Sequence, residues 1–456
     1  MAHPHPRLTI HTSTLFDPRQ GEFLSDISIT VDTGTGLITS VIARDDVAFP
    51  LPDPLPDDAV DLRGKFVMPG FVDAHTHLFG CPPPSFDETE LGTCPPNRGE
   101  NMIERVILAV NHAWNALLAG YTTYRDLGSE GMREADRDLR DAIAKGLVPG
   151  PRLFVATRSL ACADSLDPQM NNGSGNGRRG SKSGGENYGL PAGAEGVSGV
   201  EEIRHAVRKR IIAGADVISV FADYPRRARA PASPKQQQVQ QQHPYTAGVL
   251  CLLKGLNPDF VVFSQEEMDM IVSEARLARR PVAARCESLE GAMGAIKAGV
   301  RTIEGANGVT EGILRAMAEK GVILCPMLSS AEVLQPQRLP ALLKKTRRAY
   351  DLGVRLACGG DMGALIHGDN VREMELMVEC GIPVEDVLES CMVAGWESCG
   401  GDLCGKRFGW FQEGTQADIV ALEIDPRVDI GALREVDFVM KDAKIWKMNG
   451  SAVGLL

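Results

Sequence analysis

The feature that most constrains the fold is an alternation, through the middle of the chain, of short apolar runs with longer stretches of helical periodicity. A short apolar run bounded by turn residues reads as a buried strand, whereas apolar residues recurring every three or four positions read as one face of a helix. Strands are predicted at residues 71–74, 122–126, 152–156, 216–221, 281–286, 302–305, 323–327 and 355–359. Helical runs at 102–119, 200–213, 266–278 and 341–352 fall between them. Parallel neighbours need a long crossover, so repeated βα units place the strands in one sheet with helices outside. Eight such strands predict an α/β fold closed into a TIM-type (β/α)8 barrel, with its chemistry at the C-terminal strand ends.

The two ends read differently. Residues 8–11, 26–31 and 36–42, then 419–423, 438–440 and 444–447, are strand patterns punctuated by turn residues. They predict a small composite β-sandwich built from residues 1–66 and 408–456, beside a barrel of residues 67–407. Two stretches interrupt the barrel pattern. Residues 171–185 are Gly/Ser-rich and read as a mobile loop. Residues 226–243 are rich in Pro, Arg and Gln and read as a disordered insertion after the fourth strand.

Composition narrows the classes of partner. Sixty acidic against 48 basic residues give a net charge of −12, which disfavours nucleic acid and anionic membrane. Aromatic content of 5% leaves little surface for stacking bases. No stretch approaches a membrane span, and the N-terminus lacks the apolar core of a secretory signal, so a cytoplasmic protein is expected. Its 11 cysteines then read as reduced thiols. Cys399 and Cys404 have no second pair at finger-like spacing, and Cys81 and Cys94 merely bracket a Pro-rich loop.

The strongest local motif closes the first predicted strand: Met68-Pro69-Gly70-Phe71-Val72-Asp73-Ala74-His75-Thr76-His77. Side chains alternate along a strand, so His75 and His77 point to the same side. At a strand's C-terminal end that side is the barrel mouth, where two imidazoles can share one metal ion. The similar pair His3 and His5 has no strand to present it.

This motif, with residues 122–128, 214–224, 280–286, 299–305, 358–361, 367–370, 414–420 and 439–442, resembles the amidohydrolase superfamily in its imidazolonepropionase- and prolidase-like branch. The matching segments run in the family's order through nearly the whole chain. The resemblance implies a metal centre held by a His-x-His pair, a carboxylated Lys on strand four, one His each on strands five and six, and an Asp on strand eight. His75, His77 and Asp361 keep their places in that set. Ser219, Arg285 and Gly305 stand where the Lys and the other two His belong. By this resemblance no dinuclear centre is expected. The surviving two-His, one-carboxylate trio implies at most one divalent metal, zinc first, with Asp361 doubling as proton shuttle.

Arg285 opens a second reading. A guanidinium about 4 Å from a divalent ion meets repulsion of roughly 8 kcal/mol at an effective dielectric near 20. Arg285 would then replace the lost metal as a fixed cation that orients an anion or carbonyl. Three functions follow: a one-metal hydrolase of an amide or other C–N bond in a small molecule; a metal-independent isomerase, cyclase, dehydratase or decarboxylase using His75, His77, Asp361 and Arg285; or a non-catalytic relative that keeps the pocket. Catalysis is placed on Asp361, Arg285 and His77, and substrate contact on Tyr224, His367 and Arg285; His367 equally suits a helix cap. Arg125 and Asp126 are expected to form a structural ion pair. Glu304 is expected to face the helix layer, opposite Gly305. His112 and His205 lie on helix patterns as surface or core residues. A homo-oligomer is implied by the resemblance alone.

Overall fold

A computed structural model describes residues 6–45, 50–80, 102–163, 193–225, 260–305 and 307–453. The interruptions at 171–185 and 226–243, along with His3, His5, Cys81 and Cys94, lie outside the described residues.

Strands from both ends of the chain join one sheet. Its order runs Ser451–Ala452, Lys444–Met448, Val436–Lys441, Ile419–Leu422, Ala59–Pro69, Arg7–Asp17, Glu22–Asp32 and Leu37–Ala43. The junction is antiparallel, Ile419 opposite Pro69 and Val420 opposite Met68. Alternating inward residues such as Ile10, Ile29, Val31, Val67, Ile419 and Phe438 are buried together, which is what a half-covered strand requires.

Parallel strands carry the middle of the chain. Phe71–Thr76, Tyr121–Asp126 and Arg152–Val155 form one run. Ile218–Phe221, Val282–Arg285, Thr302–Glu304 and Ile323–Cys325 form a second. Backbone bonds link the two runs at both edges. The N–H groups of Asp216 and Val217 donate to the Val155 carbonyl. On the other side Leu324 N–H donates to Arg355, Ala357 N–H to Leu324, and Ala74 N–H to Cys358. Residues 355–358 therefore lie between the last strand and the first. Their pairing reduces to a single parallel bridge, Leu324 with Leu356, instead of the strand expected at 355–359. Crowding accounts for this. A Cβ on Gly359 would lie 2.6 Å from Cys325 Sγ and 2.7 Å from the His75 backbone nitrogen, so only glycine allows the approach.

Helices Met102–Leu118, Val200–Ile212, Gln265–Leu277 and Leu339–Asp351 overlie the four predicted runs. Gln265–Leu277 begins with a capping box in which Ser264 and Glu267 satisfy each other's backbone N–H groups. The short strands Leu160–Cys162 and Glu195–Val197, and the antiparallel pair Asp223–Pro225 with Phe260–Val262, lie outside the predicted pattern. They are too short to carry a periodicity. Among the described residues no helix is long and apolar enough to cross a membrane.

One buried cation ties the terminal sheet to the parallel strands. Arg152 donates to Asp418 Oδ2 at 2.8 Å, to Thr123 Oγ1 at 3.0 Å and to Gln416 Oε1 at 3.2 Å, and it also pairs with Asp442. Asp418 is 2% exposed. Removing the cation would leave that buried carboxylate without its counter-charge, with only the Asp442 N–H, among the described residues, still donating to it, so Arg152→Ala is expected to cost about 3–5 kcal/mol in urea unfolding. The pH dependence has a definite sign. Burial would raise the Asp442 carboxyl, but Arg152 and Lys441 outweigh it and bring it from 3.8 to about 2. A depressed carboxyl stabilises the fold above its unfolded value and loses that contribution as pH falls through the folded one. The stability gap between wild type and Arg152→Ala should therefore narrow between pH 4 and 2; a gap constant over that range contradicts the linkage.

Candidate functional site

The predicted trio converges. His75 lies one residue before the end of the first parallel strand, His77 just beyond that end, and Asp361 directly after Gly359-Gly360, which packs against His75. Both imidazoles turn their Nε2 atoms to one oxygen: His75 Nε2 lies 3.7 Å and His77 Nε2 3.5 Å from Asp361 Oδ1. The other carboxylate oxygen, Oδ2, lies 3.7 Å from Arg285 Nη1. Asp361 therefore faces the imidazoles with one oxygen and the guanidinium with the other. It is held at φ 58°, a left-handed conformation unusual for a residue with a side chain, and such strain gathers at functional sites.

The second nitrogen of each ring determines what the first can do. His75 Nδ1 lies 2.8 Å from Glu304 Oε2. Glu304 also accepts from Arg125 Nη2 at 2.6 Å and from the Thr302 hydroxyl, and all of these groups are buried. Burial would raise the Glu304 carboxyl, but Arg125 and His75 pull it down to about 2. An ionised Glu304 only accepts, so His75 Nδ1 carries the proton and Nε2 presents a lone pair. Burial further holds the His75 imidazole below its ordinary value, hence neutral. His77 Nδ1 lies 3.0 Å from the Gly128 carbonyl, another pure acceptor, so its Nε2 is also left as a lone pair. Burial would lower His77, but Glu130 and Asp361 outweigh it and raise the ring. Asp126 braces this segment by accepting from Leu78 N–H at 2.7 Å and Gly128 N–H at 3.3 Å.

Two imidazole lone pairs and a carboxylate oxygen thus face one another with no donor between them. Around a tetrahedral ion with bonds of about 2.1 Å, ligand atoms stand about 3.4 Å apart. The separations of 3.5 and 3.7 Å to Asp361 match that span, so the donor set fits one divalent ion. A second group, His75, Glu304 and Cys325, also draws its ligand atoms together. Its carboxylate is committed to Arg125, and burial drives the Cys325 thiol well up, so it does not offer a thiolate.

Ser219, Arg285 and Gly305, which the resemblance marks as departures, lie on or just past three neighbouring parallel strands. Ser219 Oγ shares a hydrogen bond with Ser159 Oγ at 2.9 Å. Arg285 lines the cavity beside Asp361. Gly305 has φ 86°, so a side chain there would be strained even though the nearest atom, Met327 Sδ, is 3.8 Å from an added Cβ.

A cavity of about 1030 Å³ opens from the trio, reached by His77, Arg285, Asp361 and Tyr224. Tyr224 presents its ring there while its hydroxyl donates to the Cys162 carbonyl. His367 is not among the cavity residues: it is buried and stacks on His112 at 4.4 Å between ring centroids. Nor does it cap the helix Val371–Glu379, whose N-cap is Asn370. Glu304 faces inward to His75, contrary to the expectation that it faces the helix layer. Glu304 shares Arg125 with Thr302, two residues earlier on the same strand, so these two take the inner side and the left-handed Gly305 follows the strand's end. Arg125 and Asp126 do not pair with each other; as strand neighbours they point opposite ways, Arg125 to Glu304 and Asp126 to the backbone beside His77. His112 is a core residue bonded to the Leu78 carbonyl. Sequence reasoning missed Glu130, 3.2 Å from His77 Nδ1, whose φ of 48° lies in a loop that no periodicity describes.

Comparisons with known proteins identify the family. The sequence profile of the Amidohydrolase family matches residues 66–448. An ochratoxinase of Aspergillus niger is 29% identical over 429 residues, covering 85% of this chain and 77% of that protein. Among solved structures, a Xaa-Pro dipeptidase with methionine bound in its active site superposes with a TM-score of 0.73 at 26% identity, covering 97% of this chain and all of that one. The A. niger ochratoxinase structure also gives 0.73, at 25% identity, covering 98% and 96%.

The Arg125–Glu304 pair is testable by itself. Glu304→Gln leaves a fully buried guanidinium without its counter-charge and should cost about 3–5 kcal/mol. In a double-mutant cycle, Arg125→Met with Glu304→Gln should cost well below the sum of the single changes. Additive losses would show the pair to be uncoupled.

Proposed function

The chain belongs to the Amidohydrolase family, and on that premise we propose that it hydrolyses an amide or other C–N bond of a small molecule with one divalent ion held by His75, His77 and Asp361. The observation that carries this reading is the meeting of two Nε2 lone pairs with Asp361 Oδ1, each imidazole locked from behind by an acceptor. Zinc is the ion we infer, since two imidazoles and a carboxylate with an open position suit it. When bound, such an ion supplies Lewis-acid polarisation and an activated water at neutral pH. A second ion is not part of the proposal, because Ser219, Arg285 and Gly305 offer it a hydroxyl already bonded to Ser159, a cation and no side chain.

The chain's own groups do the rest. Asp361 takes a proton from the attacking water and passes it to the leaving nitrogen. Arg285, about one-third exposed and held near Asp361 Oδ2, donates to the substrate oxygen on which negative charge develops. Tyr224 gives an apolar wall. We read residues 67–407 as a (β/α)8 barrel that presents these groups at its mouth, and both termini as the composite sandwich beside it. A dipeptidase among the similar structures agrees with an amide as the bond attacked.

One observation favours a second reading. Arg285 Nη1, 3.7 Å from Asp361 Oδ2, already supplies the carboxylate with a counter-charge without an ion. On that reading His77 and Asp361 act as acid and base for an isomerisation, cyclisation, dehydration or decarboxylation, with Arg285 stabilising the developing anion.

Metal analysis separates the two. Protein purified without added metal should carry one divalent ion per chain, lost in His75→Ala, and a chelator should abolish hydrolysis of N-acyl amides until zinc is returned. Glu304→Gln should weaken zinc binding about 10- to 100-fold by freeing the His75 ring. Turnover that survives chelation and falls with Arg285→Ala would overturn the hydrolase in favour of the metal-independent enzyme.

A further inference from the structure

Asp361 is held left-handed, and one hydrogen bond from outside the trio fixes the peptide that precedes it. The Ser329 hydroxyl lies 3.1 Å from the carbonyl oxygen of Gly360, the residue immediately before Asp361. Gly360 is buried, and among the described residues its carbonyl has no other donor. A Cβ on Gly360 would stand 2.6 Å from Ser329 Oγ, so glycine is what lets the hydroxyl reach the turn. The same hydroxyl lies 2.8 Å from Glu373 Oε2. A serine hydroxyl carries one proton, so it cannot donate fully to both acceptors.

Glu373 is fully buried, and among the described residues no cation pairs with it. Arg372, beside it on the helix Val371–Glu379, pairs instead with Glu332, Glu375 and Glu379. The donors to Glu373 are the Leu328 N–H at 2.9 Å, the Ser329 N–H at 2.7 Å and the Ser329 hydroxyl. Two of these are the first N–H groups of the helix Leu328–Leu334, which has no side-chain cap of its own, so Glu373 caps it from a distance. Capping accounts for a carboxyl at this place but not for the hydroxyl set between it and Gly360. Burial raises the Glu373 carboxyl to about 7, with Asp361 adding to the rise against the pull of its donors. The other titratable groups that feel Glu373 are Asp73 and the thiols of Cys325, Cys358 and Cys380, and all three thiols are raised clear of neutral pH.

We propose that Ser329 and Glu373 are positioning residues for Asp361, with the proton on Glu373 deciding whether the Ser329 hydroxyl clamps the Gly360 carbonyl. A protonated Glu373 donates through Oε2 to Ser329 Oγ, and the hydroxyl proton turns to Gly360. An ionised Glu373 accepts from the hydroxyl instead, and a buried carbonyl loses its donor, which loosens the left-handed turn at Asp361. The site therefore tightens as pH falls through the Glu373 value and loosens as it rises. This rests on Asp361 being the acting carboxylate of the function proposed above.

NMR on the as-purified chain, with carbonyl-labelled glycine and nitrogen-labelled aspartate, isolates its three Gly-Asp peptide bonds, and Asp361→Asn identifies the Gly360 signal among them. A carbonyl carbon that loses a hydrogen bond is shielded, so this signal should move upfield in one step as pH rises through about 7. Glu373→Gln should hold it at one position over that range, and Ser329→Ala should fix it at the upfield end. A wild-type signal that stays still, or one that titrates in either variant, would overturn the proposal. Zinc affinity, measured by competition with a chromophoric chelator, gives a second readout. Ser329→Ala should bind zinc about tenfold more weakly than wild type near pH 6, and the ratio should shrink near pH 8, where the wild-type clamp is open. An equal ratio at both would make the serine purely structural and overturn the clamp. Because the carbonyl signal needs no ion, its titration in a chain found to bind no metal would leave the clamp standing while the hydrolase reading fell.

Discussion

A carboxylate neutralised by a fully buried arginine governs the site. Arg125 holds Glu304 ionised, Glu304 takes the Nδ1 proton of His75, and Nε2 is left facing the cavity as a lone pair. None of these groups can ionise differently alone. A protonated Glu304 would forfeit the pairing of a buried guanidinium, and a missing Arg125 would leave a buried anion beside the imidazole. The network sits under the trio, so its cost is offset by specificity: it dictates which nitrogen of His75 can act.

Asp361 is the point where two chemistries meet. Its Oδ1 belongs to the imidazoles and its Oδ2 to Arg285. This division would reduce the conflict between the proposed ion and the nearby guanidinium, because the carboxylate stands between them and its charge is shared. Gly359 makes the placement possible by letting the turn before Asp361 pass within contact distance of the His75 backbone.

Much of this was legible before any coordinates, for identifiable physical reasons. Period-two alternation puts His75 and His77 on one side whatever the surrounding fold, and the resemblance brought Asp361 to them. Glu304 reads as outward only if Gly305 is the inward position; alternation instead puts Glu304 inside with Thr302, both on Arg125. Nothing in the sequence around His367 signals its depth; it stacks on His112 in the core and is not among the residues lining the cavity. Glu130 was invisible because its direction is set by a loop φ of 48°, and no pattern encodes that. Sheet membership of both termini was readable from their strand patterns, whereas the eighth parallel segment shrank to one bridge because of packing around Gly359.

The central claim is that the trio holds a single ion by two imidazoles and one carboxylate. Zinc K-edge X-ray absorption on the chain loaded with one equivalent of zinc measures this directly. The account predicts a light-atom shell at about 2.0–2.1 Å with the multiple scattering of two imidazoles, unchanged when a second equivalent is added. A metal–metal vector near about 3.5 Å, or a spectrum of hydrated zinc free of imidazole, would contradict it.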